Sequence, residues 1–149
     1  MICNACPRKC NIDRDNQIGF CGVNYKFKVA RAAPHFWEEP CISGTKGSGT
    51  VFFSGCNLHC VYCQNYCISS ENQGKEISVA RLREIYGELI AQGAHNINLV
   101  TPQHFTESIL ESLDKPLQVP VVWNTNGYDS AETLKRLEGL ADAFQRILI

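Results

Sequence analysis

The sequence has no excess of charge of either sign and no long hydrophobic run. Its 149 residues include 14 Lys and Arg and 15 Asp and Glu, a formal net charge of −1. This balance gives no electrostatic reason to expect a nucleic-acid or anionic-membrane partner. No apolar run is long enough to span a bilayer, and the first residues lack the basic and apolar regions of a secretory signal. These absences predict a cytoplasmic protein with neither a nucleic-acid nor a membrane partner.

Cysteine, in contrast, is unusually abundant, with nine in the chain. Several are separated by two residues, the C-x2-C spacing that is frequent in metal-binding proteins. Without a secretion signal, this usage favours metal binding over disulfides. We therefore expect an oxygen-sensitive, metal-binding protein.

The densest cysteine group follows a short apolar run. Thr50–Phe53 is rich in β-branched and aromatic residues and is bounded by glycines, which predicts a buried strand. Cys56, Cys60 and Cys63 follow it in a C-x3-C-x2-C pattern. Three thiolates on one loop can hold three irons of a [4Fe–4S] cluster. The fourth iron then stays open to bind and activate a ligand.

This loop, with an aromatic residue just before its last cysteine, resembles that of the radical S-adenosylmethionine (SAM) enzymes. From Cys3 to about Leu140 the chain is similar to the branch related to pyruvate formate-lyase activating enzyme. The likeness is carried by the cysteine loop and by the runs Glu38–Gly44, Gly47–Asn57 and Cys63–Asn65.

The resemblance implies an activity. In that family the open iron binds the amino and carboxylate groups of SAM. Reduction cleaves SAM to methionine and a 5'-deoxyadenosyl radical, which abstracts hydrogen from a substrate. It also implies an oxidoreductase, an electron donor such as flavodoxin or ferredoxin, and a protein substrate with a glycine as hydrogen donor. The family packs an aromatic residue beside the adenine of SAM, at the position of Tyr62 here.

Cys67 leaves an alternative open. Cys60, Cys63 and Cys67 also form a triad, and four close cysteines could complete an electron-transfer cluster or hold zinc. The strand before Cys56, the adjacent glycine and the position of Tyr62 favour the open cluster. Cys67 is then interpreted as a spare thiol.

A second set of cysteines comes earlier in the chain and comprises Cys3, Cys6, Cys10 and Cys21. Few apolar residues lie between them, so a bound metal would be needed to order this segment. Four thiolates suit either tetrahedral zinc or a second, fully ligated iron–sulfur cluster. Thiols without metal are a third alternative. Cys41 stands apart, and we expect it to be a buried small side chain.

After the cysteine loop, strand and helix patterns alternate. Further strands are predicted at Asn96–Val100 and Val119–Trp123. Helices are predicted after a Ser78 N-cap, from Thr101 and Pro102 onward, and after an Asp129 N-cap, the last with Leu134, Leu137 and Leu140 buried. Such alternation means parallel strands with right-handed crossovers. The predicted fold class is an α/β partial (β/α) barrel of about three to four βα units.

The chain is divided into two predicted parts. Residues 1–48 form a cysteine-rich N-terminal metal-binding extension, and residues 49–149 form the (β/α) core. A full radical SAM core needs roughly six βα units, and the likeness ends after Asp142, so we expect a C-terminally truncated core. Its last four residues could add a short strand. The alternative to an enzyme is a non-catalytic iron–sulfur or zinc-binding fragment.

Polar residues follow the predicted strands, where parallel sheets bind ligands. Thr101 stands where the wider superfamily carries a Gly-Gly-Glu stretch, and we expect its hydroxyl or backbone to bind the SAM amino group. Asn124 and Asn126 are expected to contact the ribose or carboxylate. Capping and turn formation are the alternative roles of these residues.

Overall fold

The computed structural model describes residues 2–146, an α/β fold built on one six-stranded sheet. In chain order the elements are β1 (Phe27–His35), α1 (Pro40–Ser43), β2 (Ser48–Phe53), α2 (Tyr66–Ser69), β3 (Lys75–Ile77), α3 (Val79–Ala91), β4 (Ile97–Val100), α4 (Thr106–Ser112), β5 (Val121–Thr125), α5 (Ala131–Arg136) and β6 (Ala143–Arg146). A short 3-10 helix, Gln103–Phe105, precedes α4. None of the described helices is long and apolar enough to cross a bilayer.

Four strands form the parallel part of the sheet. β2 pairs with β4, β4 with β5, and β5 with β6, all in parallel. The strand order is β3-β1-β2-β4-β5-β6, so β3 and β6 are edges and the sheet is not closed within residues 2–146. The predicted α/β class is therefore confirmed, but the described chain forms an open sheet rather than a barrel. Of the strand predicted in the last four residues, Arg146 ends β6 and residues 147–149 lie outside the described part.

The other side of the sheet is antiparallel, which the sequence interpretation missed. β1 pairs antiparallel with β2, and β3 pairs antiparallel with β1. β1 lies within residues 1–48, the predicted N-terminal extension, yet its Phe27 and Val29 belong to the main core. Part of the predicted extension thus lies in the same sheet as the predicted core.

Alternation along the strands separates the two faces of the sheet. Val51, Phe53, Leu99 and Trp123 share one face and are at most 2% exposed. They form one apolar cluster with side chains of α3, α4 and the 3-10 helix, which include Leu82, Tyr86, Phe105 and Ile109. This packing holds the ends of β2, β4 and β5 side by side.

The start of α3 is confirmed. Ser78 Oγ accepts a 3.1 Å hydrogen bond from the Arg81 N–H, as an N-cap does. The segment after β4 differs from its prediction, because Thr101 has a φ of 51° and Pro102 precedes the 3-10 helix instead of opening an α-helix. A residue in the left-handed region cannot itself be part of a right-handed helix.

The start and buried face of α5 also differ from prediction. Its N-cap is Ser130, whose Oγ accepts from the Thr133 N–H at 3.1 Å, whereas Asp129 binds the indole N–H of Trp123. Leu137 is fully buried, but Leu134 is 39% exposed. Leu134 lies with Phe144 of the edge strand β6 in an open hollow, where no further described element covers it.

Candidate functional site

A cavity of about 290 Å³ lies at the carboxyl ends of β2 and β4. Its wall includes the three thiols predicted to bind the cluster, which are those of Cys56, Cys60 and Cys63. It also includes two of the predicted SAM contacts, Tyr62 and Thr101. The carboxyl ends of parallel strands are the usual place for ligands in such sheets. The structure therefore brings residues from two predicted loops to one concave site.

Gly55 makes the turn from β2 into the cysteine loop. Its φ is +84°, and a Cβ at this position would lie 2.6 Å from the carbonyl oxygen of Cys21. The same carbonyl accepts a 3.1 Å hydrogen bond from the Cys56 N–H. Only glycine fits this close approach, which joins the N-terminal cysteine segment to the start of the loop.

The thiols in the cavity have hydrogen-bond donors beside them. Cys56 is 8% exposed, and its Sγ lies 3.4 Å from the Leu58 backbone nitrogen and 3.6 Å from Asn126 Nδ2. Cys63 Sγ lies 3.3 Å from Ser69 Oγ. Donors of this kind stabilise the thiolate, which is the form that binds metal.

The thiols that line the cavity are compatible with a cluster. Within the described residues, no three His, Cys, Asp or Glu side chains form a group that could hold one metal ion. In a cubane cluster each cysteine binds a different iron, so the thiols need not converge on one point. Cys56, Cys60 and Cys63 line one cavity, and three thiolates suit a [4Fe–4S] cluster with an open iron.

Cys67 is exposed, and the cavity wall does not include it. A hydrogen bond to the Glu71 carboxylate, together with the charge of that carboxylate, raises the pKa of the Cys67 thiol. A thiol that holds its proton more strongly is a weaker metal ligand. These observations support the interpretation of Cys67 as a spare thiol.

The predicted SAM contacts fall into two groups. Thr101 and Tyr62 line the cavity, Tyr62 with 92% of its surface exposed. Asn124 and Asn126 do not line it. Asn124 is 2% exposed with an unpartnered Oδ1, and Asn126 Oδ1 accepts from the Tyr128 N–H at 3.0 Å, in a turn-forming role. SAM binding by these four residues stays a prediction.

Three of the four N-terminal cysteines lie near one another. Cys21 is buried, and burial, with smaller contributions from the Cys3 and Cys6 thiols, raises the pKa of its thiol, while the charge of Arg14 opposes this shift. No group of metal ligands is formed among the described residues, so the second metal stays a prediction. Cys41 is exposed on α1, and the expectation that it is buried was wrong.

Sequence reasoning did not single out two buried residues, Arg14 and His104, which are linked to each other and to Ser54 after β2. Arg14 is 6% exposed and donates to the backbone carbonyls of Val23, Asn24 and His104. His104 is 2% exposed, with Nε2 2.8 Å from the Ser54 carbonyl oxygen. A carbonyl only accepts, so Nε2 carries the proton. Burial, assisted by the charge of Arg14, lowers the pKa of His104 to about 3.

Comparison with known proteins defines the class. The profile of the Radical SAM superfamily matches residues 50–148, more than half of the chain. The chain therefore belongs to the radical SAM superfamily, and membership implies a [4Fe–4S] cluster and SAM as cofactors. The matched region contains the whole cysteine loop.

An individual relative is an uncharacterized protein of Methanocaldococcus jannaschii, to which the chain is 32% identical over 153 residues. That alignment covers 95% of this chain and 44% of the relative, so the chain spans less than half of the relative's length. No solved structure matches the chain.

Proposed function

We propose that the protein is a radical SAM enzyme of the oxidoreductase class that binds a [4Fe–4S] cluster through Cys56, Cys60 and Cys63. When bound, the cluster and SAM would supply reductive cleavage of SAM to a 5'-deoxyadenosyl radical for hydrogen abstraction from a substrate. The observation that carries the proposal is the presence of all three thiols in one cavity at the carboxyl ends of β2 and β4.

The remaining wall residues would orient SAM and exclude water. Phe52 and Val100 are opposite each other on neighbouring strands and give the cavity an apolar side. Thr101, directly after β4, lines the cavity, and its hydroxyl or backbone would bind the amino group of SAM. Tyr62 also lines the cavity, and its aromatic ring would pack against the adenine.

For the substrate, we propose a glycine on a partner protein, as in the activating enzymes that the sequence resembles. Val61 and Tyr62 are 86% and 92% exposed beside two of the cluster cysteines, which supports contact with another protein. A flavodoxin or ferredoxin would supply the electron, in the cytoplasm. A second metal, zinc or iron–sulfur, would bind the N-terminal cysteines.

The proposal is tested by electron paramagnetic resonance (EPR) of the anaerobically reconstituted and reduced protein, with and without SAM. We expect a [4Fe–4S]⁺ signal that changes when SAM is added, together with release of 5'-deoxyadenosine under reductant. The Cys60→Ala variant, which lacks one ligand, is the control and should give neither. A cluster signal that is indifferent to SAM would contradict the proposal.

A second candidate function is a non-catalytic iron–sulfur or zinc-binding protein. It is favoured by the open sheet, because β6 is an edge strand in the described structure and leaves the cavity without a closed barrel around it. This alternative predicts a stable metal content but no 5'-deoxyadenosine. Metal analysis and product detection on the same sample separate the two candidates.

A further inference from the structure

The backbone of Tyr128 fixes the orientation of two side-chain amides beside the cysteine loop. Its N–H donates to Asn126 Oδ1 at 3.0 Å, and its carbonyl accepts from Asn57 Nδ2 at 3.0 Å. A backbone N–H can only donate and a backbone carbonyl can only accept. Neither amide can therefore be flipped without losing a hydrogen bond.

Asn126 consequently turns its NH₂ group toward the cysteine loop. Nδ2 donates to Asn57 Oδ1 at 2.6 Å and lies 3.6 Å from Cys56 Sγ. Gln103 Nε2 adds a 3.0 Å hydrogen bond to Asn126 Oδ1, which strengthens the same orientation. An amide NH₂ has two hydrogens, so one can serve Asn57 while the other points to the sulfur.

Ser69 provides a similar donor for Cys63. It is the last residue of α2, it is 7% exposed, and its Oγ donates to Cys63 Sγ at 3.3 Å. Ser69 also lines the cavity that contains the three thiols. Two of the three predicted cluster ligands thus have a side-chain donor aimed at their sulfur.

We propose that Asn126 and Ser69 are positioning residues that raise the reduction potential of the cluster by donating hydrogen bonds to the Cys56 and Cys63 thiolates. The proposal rests on the proposed function, because it takes the cluster to be bound by those cysteines. It gives the loop after β5 a role toward the cluster instead of a direct contact with SAM.

The direction of the effect follows from charge. One-electron reduction makes the cluster and its thiolates more negative, and a hydrogen-bond donor stabilises the more negative state more strongly. Hydrogen bonds to the sulfurs and solvent exposure are among the factors that set cluster potentials. Removing either donor therefore lowers the potential and makes the cluster harder to reduce.

The test is an EPR-monitored redox titration of the reconstituted cluster, with dithionite as the one-electron reductant. Ser69→Ala removes the hydroxyl, and Asn126→Asp keeps the acceptor for Tyr128 but replaces the donor with a carboxylate oxygen. At a fixed potential near the wild-type midpoint, the ratio of reduced to oxidised cluster should fall on the order of tenfold in each variant. Ser69→Thr, which keeps the hydroxyl, should restore the wild-type ratio.

Ser70→Ala is the matched control, because it removes a neighbouring serine hydroxyl whose residue does not line the cavity. It should titrate as the wild type does. If both Ser69→Ala and Asn126→Asp take up a full cluster and titrate at the wild-type potential, the positioning proposal is overturned. If the wild type itself forms no SAM-responsive cluster, the proposed function fails instead.

Discussion

Arg8 Nε donates a 2.7 Å hydrogen bond to the backbone carbonyl of Asn57, the residue after the first cysteine of the cavity. The same guanidinium lies 3.5 Å from the centroid of the Phe20 ring and 5.8 Å from that of Tyr128. Arg8 thus links the N-terminal cysteine segment to both the cysteine loop and the loop after β5. The N-terminal segment is part of the support of the site.

Arg8→Ala should loosen the cysteine loop, because it removes the hydrogen bond to Asn57 and the cation–π contact with Phe20. We expect a loss of about 1 kcal/mol in the free energy of unfolding, and faster loss of iron to a chelator from the reconstituted protein. Thermal melting and chelator kinetics measure these effects.

Lys9→Ala is the control, because it removes the same charge from an exposed neighbouring residue. It should leave iron loss at the wild-type rate. Equal effects of the two substitutions would show that net charge, and not the contact with Asn57, holds the loop.

The two cysteines Cys60 and Cys67 should behave differently when replaced. Cys60→Ala removes a cavity thiol and should abolish cluster formation, because a three-cysteine site has no replacement ligand. Cys67→Ala should keep the wild-type iron content and EPR signal. Loss of the cluster in Cys67→Ala would instead support a closed site that includes Cys67.

Acid should destabilise the protein through His104. Its pKa in the fold is about 3, below the ordinary 6.5, so the unfolded chain binds the proton more readily. The stability that neutral His104 provides is complete above pH 6.5 and is lost as the pH falls from 6.5 toward 3. Protonation of His104 makes the free energy of unfolding change by at most about 1.4 kcal/mol per pH unit.

Chemical denaturation of the metal-free protein across this pH range measures that slope. His104→Gln, which keeps a neutral donor for the Ser54 carbonyl, should flatten it. The control is His95→Gln at an exposed histidine, which is expected to retain the wild-type slope. A slope unchanged in His104→Gln would assign the acid sensitivity to other groups.

Thr101 should show opposite effects on stability and on SAM binding. Its φ of 51° is unfavourable for a β-branched residue, so Thr101→Gly should relieve strain and stabilise the fold by about 1 kcal/mol. Loss of the hydroxyl should weaken SAM binding about tenfold, as measured by EPR titration with SAM. Thr101→Ser should bind SAM as the wild type does; full SAM binding by Thr101→Gly would assign the contact to the backbone.

The sequence predicted the parallel part of the fold well, because it is encoded locally. The apolar run before Cys56 and the stripe of α3 after Ser78 each have a period that identifies the element. The antiparallel strands β1 and β3 were not recognised as part of the sheet. β3 has three residues, too few for a period to be read, and its partner β1 lies well before it in the chain.

The candidate site was predicted in part for the same reason. Cys56, Cys60 and Cys63 could be identified from their spacing, and the structure places them in one cavity. Ser69, Asn57 and the orienting backbone of Tyr128 were missed as neighbours of the thiols. Asn57 and Tyr128 are 71 positions apart in the chain, so no local pattern could show their contact.

The sequence by itself determined the cysteine spacing, the βα alternation and the superfamily, because each is a property of residues close together along the chain. Only the tertiary structure decided which donors meet the thiols, that Arg14 and His104 are buried together, and that β1 joins the sheet. Arg14 and His104 are 90 positions apart and meet through one hydrogen bond. Such contacts depend on the packing of the whole domain around the sheet.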